Sequence, residues 1–255
     1  MGSLREWFFK TWYWYVNSVD KNAEVLFMNY GYSNGEKVQL HKNEDEGNRY
    51  SIQLYHLLAN AVDLNNKHVL EVGSGRGGGL AYVTNQFRPI SATGMDLDKN
   101  AVSFSNNFYD NPGLSFIQGD AQQIPLKSDA YHVVMNVESS HRYPDFKKFL
   151  SEVHRVLKPG GHFLFTDFRF DHEIPALQEE LKLSGLTLIK EEDITQHVVK
   201  ALELDDNRRR KLVKKLAPKV LHSVALNFAG TIGSSTYNQF LNREYVYMNY
   251  VLQKN

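Results

Sequence analysis

The sequence predicts an α/β fold built on a mainly parallel sheet with helices on both of its faces. From His68 onward, short runs rich in β-branched and aromatic residues alternate with helical segments of about ten to fifteen residues, as in consecutive βαβ units. The chain has 255 residues, of which 42% are hydrophobic, so it can bury one large core. Together these observations predict a Rossmann-like sheet of seven strands.

Each predicted element rests on its own pattern. The clearest helix begins at Pro144-Asp145 and ends at the breaker sequence LKPGG, because proline and glycine cannot continue a helix. Further helices are predicted over 78–86, 99–108 and 174–184. The predicted strands are 68–73, 90–96, 114–119, 131–137, 161–168, 186–193 and 244–254.

Two regions lie outside this alternation and are predicted to form caps. The sheet and its helices occupy 61–194 and 243–255, whereas 1–60 is predicted as an N-terminal helical cap segment and 195–242 as a helical cap insertion. Ligands of open α/β sheets bind beyond the carboxyl ends of the strands. We therefore expect the caps to cover that edge and to determine the substrate.

Composition excludes several classes of protein. The 29 basic residues balance the 29 acidic ones, and there is no cysteine. This balance argues against a broad nucleic-acid surface, and the lack of cysteine excludes disulfides, thiolate metal sites and a cysteine nucleophile. No apolar run approaches the about 20 residues that span a bilayer. The ten histidines show no tight ligand spacing, so no metal site is expected; the one arrangement that the sequence leaves open is His141 with Glu138 or Asp167. A cytoplasmic monomer or homodimer is predicted.

Two segments leave a choice between a structural and a binding role. The N-terminal aromatic residues are interpreted either as a helix packed on the core or as a surface that receives an apolar substrate or touches a membrane. The basic run over 208–215 is interpreted either as a solvated helix face or as a docking site for an anionic membrane or an acidic carrier protein. The aromatic residues are Trp7, Phe8, Trp12, Tyr13, Trp14 and Tyr15.

The strongest local motif is the glycine-rich turn EVGSGRGGG after the first strand. Gly73, Gly75 and Gly78 satisfy G-x-G-x-x-G, which is compatible with a nicotinamide dehydrogenase or with a purely structural turn. Asp96 ends the second strand, where a carboxylate can accept hydrogen bonds from ribose hydroxyls. Asp120 follows the third strand, where an adenine could be held. The chain lacks a second mononucleotide-binding half, so a single nucleoside pocket is predicted and a dehydrogenase becomes remote.

These motifs carry a family resemblance. EVGSGRGGG, GMDLD, QGDAQQIP, NVESSHRYPD, EVHRVLKPGG and HFLFTDF resemble the successive motifs of class I S-adenosylmethionine-dependent methyltransferases. LFMNYGY, DEGNRYSIQLYH and NVESSHRYP resemble the phthiotriol and phenolphthiotriol dimycocerosate methyltransferases. That family O-methylates a hydroxyl on a long lipid-like polyketide chain. The resemblance covers about residues 25–170 and fades beyond about residue 195.

The resemblance implies a cofactor, S-adenosylmethionine, and residues that bind it. It assigns the backbone around Gly73 and Gly75 to the methionine moiety, Asp96 with Leu97 to the ribose, and Asp120 with Ala121 to the adenine. Glu71 is expected to orient the N–H groups of the loop and to attract the cofactor's ammonium group. The predicted set is completed by Ser74, Asn136 and the NYGY segment. Its Tyr30 and Tyr32 are expected either to fold over the cofactor or to be core tyrosines that flank a glycine turn.

The predicted chemistry is methyl transfer to a hydroxyl of a lipophilic small molecule. His141 follows the fourth strand and Asp167 ends the fifth, so both side chains can face one pocket. An alcohol must lose a proton, and we hypothesise that His141 is the general base and that Asp167 orients it. The alternatives are C- or N-methylation of a small molecule, or a non-catalytic S-adenosylmethionine-binding module.

Overall fold

The computed structural model describes residues 23–40 and 43–255, and its centre is one seven-stranded sheet. The strands are β1 (His68–Val72), β2 (Ser91–Asp96), β3 (Leu114–Gln118), β4 (Tyr131–Val137), β5 (Leu157–Phe170), β6 (Leu186–Asp193) and β7 (Tyr245–Lys254). They lie in the order β3-β2-β1-β4-β5-β7-β6. Strands β1 to β5 pair in parallel, and β7 is antiparallel to both β5 and β6. The predicted strands are confirmed, although β5 begins earlier because the LKPGG segment is already extended.

Helices connect and cover the strands. They are α1 (Arg49–Ala59), α2 (Gly78–Phe87), α3 (Lys99–Phe108), α4 (Phe146–Val156), α5 (Ile174–Lys182), α6 (Thr195–Leu216), α7 (His222–Phe228) and α8 (Ser235–Leu241). Short 3-10 turns occupy Asn43–Asn48, Ser140–Arg142, Asp171–Glu173 and Lys219–Leu221. Asp98 and Asp145 accept hydrogen bonds from the first turns of α3 and α4, which satisfies donors that a helix start leaves unpaired.

Alternate residues of the central strands enter two separate hydrophobic clusters. Val69 and Leu164 belong to the cluster that α1 and α2 cover, whereas Leu70 and Phe163 belong to the cluster that α4 and α5 cover. Successive side chains of a strand point to opposite faces, so both faces of the sheet are buried beneath helices. This confirms the predicted fold class.

The described part of the N-terminal region departs from the expected helical cap. Residues 1–22, with the aromatic residues noted above, lie outside the described residues. Residues 23–40 contain neither helix nor strand, and helical structure begins at Asn43. In α1, Ile52 and Leu58 are buried in the main cluster. Helix α1 therefore packs on the sheet as part of the core, because its apolar side chains share one cluster with those of β1 and α2.

Helices α6 to α8 lie between β6 and β7 and are tied to the N-terminal segment. Arg209 of α6 is buried, pairs with Asp205, and donates to the carbonyl oxygens of Tyr30 and Ala229. A buried guanidinium needs such partners. This contact fixes the segment around Tyr30 against α6. No helix within 23–40 or 43–255 is long and apolar enough to cross a membrane.

We predict that Leu164→Ala lowers the free energy of unfolding by about 2 to 5 kcal/mol, because it leaves a cavity in the core. Leu164 is fully buried, whereas Leu183 is 69% exposed. The matched variant Leu183→Ala should change stability by less than about 0.5 kcal/mol. Urea denaturation followed by circular dichroism measures both, and equal losses would contradict this description of the core.

Candidate active site

The glycine-rich loop turns sharply after β1 and places its N–H groups on defined acceptors. Gly73 and Gly75 have positive φ angles of 77° and 53°, which glycine adopts without steric cost. A Cβ on Gly73 would lie 2.3 Å from the Oγ of Ser139. The N–H groups of Gly73 and Ser74 donate to the carbonyl of Met95, at 2.8 and 3.0 Å. The loop therefore leaves no room for side chains at its tightest point.

A cavity of about 570 Å³ lies against this loop. Its walls include the loop, the residues that follow β2 and β3, and the segment Leu26 to Asn29. The Oγ of Ser74 is buried on this wall and has no hydrogen-bond partner among the described residues. The predicted cofactor residues that the structure brings together here are Gly73, Ser74, Gly75, Asp96, Leu97, Asp120 and Ala121.

Asp96 is held rigidly at the cavity wall. One carboxylate oxygen accepts the N–H of Gly75 at 2.7 Å, and the other accepts the N–H of Asp98 at 2.9 Å. Burial raises the pKa of Asp96, while these two hydrogen bonds oppose that shift. A carboxylate has about four acceptor positions. Two of them are used, so the remaining ones are available to a ligand's hydroxyl groups.

Three predicted cofactor residues lie outside the walls of this cavity. Glu71 accepts the hydroxyl of Tyr55 at 2.7 Å instead of the loop N–H groups, and burial raises its pKa to about 8. The amide of Asn136 donates to the carbonyl of Val72 and to Ser139, so it supports the wall from behind. Tyr32 packs against His197 at a ring distance of 5.0 Å.

The NYGY segment does not place both of its tyrosines at the glycine-loop cavity, where they were expected to cover the cofactor. Phe27 and Met28, just before it, and Asn29 within it line both the smaller cavity and a second, larger one, whereas Tyr30 lines the larger cavity and not the smaller. Tyr30 packs edge-on against Phe168 at 5.6 Å. Tyr32 lies away from both cavities, because its ring packs against His197 of α6. Spacing along the motif could not reveal which of these aromatic rings meets a ligand.

The larger cavity has a volume of about 720 Å³ and adjoins the smaller one. Glu138, Arg142 and Tyr143 line both cavities, so the two spaces meet just beyond the carboxyl end of β4. Most of the remaining wall is apolar and comes from the cap helices and from β5. The apolar residues include Val25, Phe168, Phe170, Leu212, Val213, Leu216 and Phe228.

The structure brings His141 and Asp167 together, with His141 on the wall of this larger cavity and Asp167 buried behind it. The Nδ1 of His141 lies 2.7 Å from Oδ1 of Asp167. The carboxylate also accepts the backbone N–H of His141 at 2.9 Å and the hydroxyl of Ser140 at 2.6 Å. The Nη1 of Arg169 lies 3.2 Å from Oδ2 of Asp167. This fully paired carboxylate fixes the orientation of the imidazole and leaves its Nε2 toward the cavity.

Electrostatics favour a neutral His141 facing an ionised Asp167. Burial lowers the pKa of His141, although Asp167 opposes that shift. Burial alone would raise the pKa of Asp167, but His141, Arg169 and the hydrogen bonds hold it well below its usual range. Arg142 Nε donates to His141 Nε2 at 3.2 Å. The Nε2 atom is therefore an acceptor with its lone pair toward the junction of the cavities.

Glu138 is a site residue that sequence reasoning did not assign to the methyl-transfer site. One of its oxygens accepts the hydroxyl of Tyr247 and the N–H of Tyr30, both at 2.6 Å. Burial raises its pKa to about 8. Its place directly after β4 was a usable signal, because strand ends carry the site residues. Tyr247 gave no such signal, since only the antiparallel pairing of β7 brings it here.

Comparison with known proteins identifies the class. A family model described as a methyltransferase domain matches residues 70–165. The chain is 42% identical to a fatty-acid O-methyltransferase of Mycolicibacterium smegmatis over 82% of this chain and 77% of that protein. It is 36% identical to a phthiotriol/phenolphthiotriol dimycocerosates methyltransferase of Mycobacterium tuberculosis, over 95% and 91%. The fold also matches a cyclopropane synthase of Mycobacterium tuberculosis with a TM-score of 0.73 at 14% identity, over 95% and 98%.

The protein is thus a class I S-adenosylmethionine-dependent methyltransferase. Within that class, it belongs to the family that contains these two mycobacterial methyltransferases. The predicted resemblance, the enzyme class and the cofactor are confirmed. Within 23–40 and 46–255, no group of three or more His, Asp or Glu side chains is arranged to hold a metal ion.

We predict that His141 titrates below its usual value of about 6.5 and holds its proton on Nδ1 when neutral. Asp167 raises the pKa of His141 and Arg142 lowers it, so Asp167→Asn should lower that pKa further and Arg142→Gln should raise it. Nitrogen-15 NMR titration of labelled histidine measures the tautomer and both shifts. Shifts of the same sign in the two variants would refute this electrostatic description.

Proposed function

We propose that this methyltransferase O-methylates a lipophilic small molecule at a hydroxyl group, with His141 as the general base. The single observation that carries the proposal is the contact of 2.7 Å between His141 and the buried Asp167 on the wall of a largely apolar cavity. That cavity adjoins the glycine-loop cavity, so a cofactor in one space and an acceptor in the other would meet near Glu138 and Arg142.

The hydrogen-bonding groups around the smaller cavity support our assignment of S-adenosylmethionine to it. The open acceptor positions of Asp96 suit ribose hydroxyls, and Asp120 with Ala121 lies where an adenine would follow. The buried hydroxyl of Ser74 has no partner among the described residues and can bond to the methionine end. We therefore assign cofactor binding to these residues, and we assign Glu71 and Asn136 to positioning the loop and Ser139.

S-adenosylmethionine supplies a methyl group on a sulfonium centre, so the protein must align the acceptor and exclude water. An alcohol must also lose its proton. His141 Nε2 can take that proton because the imidazole is neutral and its other nitrogen is held by Asp167. The carboxylate then stabilises the imidazolium that forms. Arg142 must move from Nε2 as the acceptor hydroxyl arrives.

A second candidate function is O-methylation of a carboxylate. It is favoured by the position of the Arg142 guanidinium, which contacts His141 where an acceptor would bind. A fatty acid is ionised at neutral pH and needs no base. Arg142 lies where the two cavities meet and could pair with such an anion. The relative from Mycolicibacterium smegmatis is named as a fatty-acid O-methyltransferase, and the relative from Mycobacterium tuberculosis acts on phthiotriol compounds by its name.

The cysteine-free chain suits the reducing cytoplasm, where we place the enzyme. C- or N-methylation stays the alternative chemistry. Mass spectrometry of the methylated product distinguishes the ether or ester formed by O-methylation from a C- or N-methylated product.

We predict that Asp96→Ala weakens binding of S-adenosylhomocysteine by about 10- to 100-fold, because hydrogen bonds to a charged acceptor contribute about 1.5 to 3 kcal/mol. Isothermal titration calorimetry measures the affinity directly. Asp110→Ala is the matched control, since Asp110 is exposed beyond α3 and should leave the affinity unchanged. Unaltered binding by Asp96→Ala would remove Asp96 from the cofactor site.

A second test compares hexadecan-1-ol and hexadecanoic acid, which share an alkyl chain. We predict that His141→Ala lowers kcat with the alcohol by about 10²- to 10⁴-fold. For the wild type, kcat with the alcohol should hold as the pH falls to about 6.5 and decline only at lower pH, because the base must be unprotonated and its pKa is lowered. Radiolabelled methyl transfer measures both effects.

Controls separate the two candidate functions. His172 is exposed, so His172→Ala should be active with both acceptors. If the acid is the preferred acceptor, His141→Ala should methylate the acid at the wild-type rate. Arg142→Gln should then raise the KM for the acid. Undiminished turnover of the alcohol by His141→Ala would show that His141 is not the base.

A further inference from the structure

One stretch of the cap is entirely free of acidic residues. Between Asp206 and Glu244 the sequence contains no aspartate or glutamate, although the whole chain balances 29 basic against 29 acidic residues. The positive charge of this stretch is therefore local. Its basic residues are Arg208, Arg209, Arg210, Lys211, Lys214, Lys215, Lys219 and Arg243.

The structure divides these cations into two groups. Arg208 and Arg209 pair with Asp205, and Arg210 pairs with Asp206, all within α6. Lys215 pairs with Glu24, and Arg243 pairs with Asp193. Lys211, Lys214 and Lys219 are exposed and form no ion pair with an acidic side chain of residues 23–40 or 46–255. These three lysines, at the end of α6 and in the turn that follows, are therefore the solvated cations of the stretch.

Apolar side chains are exposed beside these lysines in the chain. Val220 follows Lys219 in the turn between α6 and α7 and is 85% exposed, and Val224 on α7 is also exposed. We define the cap tip as Lys211, Lys214, Lys219, Val220 and Val224. An exposed valine among lysines is unfavourable in water, but the combination suits the boundary between lipid headgroups and acyl chains.

The same helices line the larger cavity from within. Leu212 and Leu216 of α6 and Phe228 of α7 lie on its wall, one helical turn or less from the residues of the cap tip. Helices α6 and α7 therefore contribute both to the cap tip and to the wall of the cavity that His141 lines.

We propose that the cap tip docks on a phospholipid bilayer that contains anionic lipid, with Val220 inserted and the lysines on the headgroups. The docking itself rests on charge and exposure. Its purpose, delivery of a lipophilic acceptor from the bilayer, rests on the proposed function. An acidic carrier protein would match the lysines but gives no reason for an exposed valine among them, so the bilayer is the occupant that the surface favours.

Co-sedimentation with vesicles tests the proposal with the full chain. Wild-type protein should bind vesicles of equimolar phosphatidylcholine and phosphatidylglycerol, bind phosphatidylcholine alone much more weakly, and be released by high salt. Lys211→Gln combined with Lys214→Gln should weaken binding about 25-fold, because each lysine near an anionic surface contributes about fivefold in affinity. Val220→Asp should also abolish most binding.

The matched control is Lys182→Gln combined with Leu183→Asp, which alters an exposed lysine and an exposed apolar residue at the end of α5. It should bind vesicles like the wild type. All variants should bind S-adenosylhomocysteine normally, which verifies folding without requiring methyl transfer.

Three results would overturn the proposal: vesicle binding that is insensitive to phosphatidylglycerol, binding unchanged in the cap-tip variants, or lysine-dependent binding of an acidic acyl carrier protein without vesicle binding. Failure to methylate lipids would instead count against the proposed function, because vesicle binding is measured without an acceptor.

Discussion

The buried carboxylate of Asp167 is the constraint on which the arrangement at the sheet edge depends. It accepts hydrogen bonds from Ser140, from the backbone and ring of His141, and from the N–H of Phe168, and it pairs with Arg169. Removing a charge from water costs several kcal/mol, so the partners must be present together. Their shared attachment to one carboxylate holds the turn after β4 against the end of β5 and sets the direction of the imidazole.

The position of that turn explains why two cavities meet there. Parallel strands β1, β2 and β3 end in loops that surround the smaller cavity, whereas β4 and β5 end beside the larger one. Glu138 and Arg142 stand between them. Membership of the methyltransferase family identifies S-adenosylmethionine as the cofactor. Residues of the cap helices form much of the wall of the larger cavity. Under the proposed function, the ends of the strands position the methyl transfer, and the larger cavity beside the cap helices receives the acceptor.

Sequence patterns predicted the sheet and much of the first cavity because both are built from local signals. The glycine turn and Asp96 follow strands directly, and periodicity locates strands well. The pairing of His141 with Asp167 also followed from strand ends. Tyr32 and Asn136 were predicted to bind the cofactor, but neither lines the smaller cavity. Whether a side chain faces a ligand depends on its direction within the packed protein, which the motif does not specify. Glu138's contact with Tyr247 depends on long-range antiparallel pairing, which local spacing does not encode.

The central claim is that cofactor and acceptor meet beside His141, and a crystal structure with S-adenosylhomocysteine and hexadecan-1-ol tests it most directly. The account predicts the nucleoside ribose on Asp96, the sulfur facing the junction at Glu138, and the alcohol oxygen within hydrogen-bond distance of His141 Nε2 in place of Arg142. An alcohol bound away from His141, or a nucleoside outside the glycine-loop cavity, would contradict it.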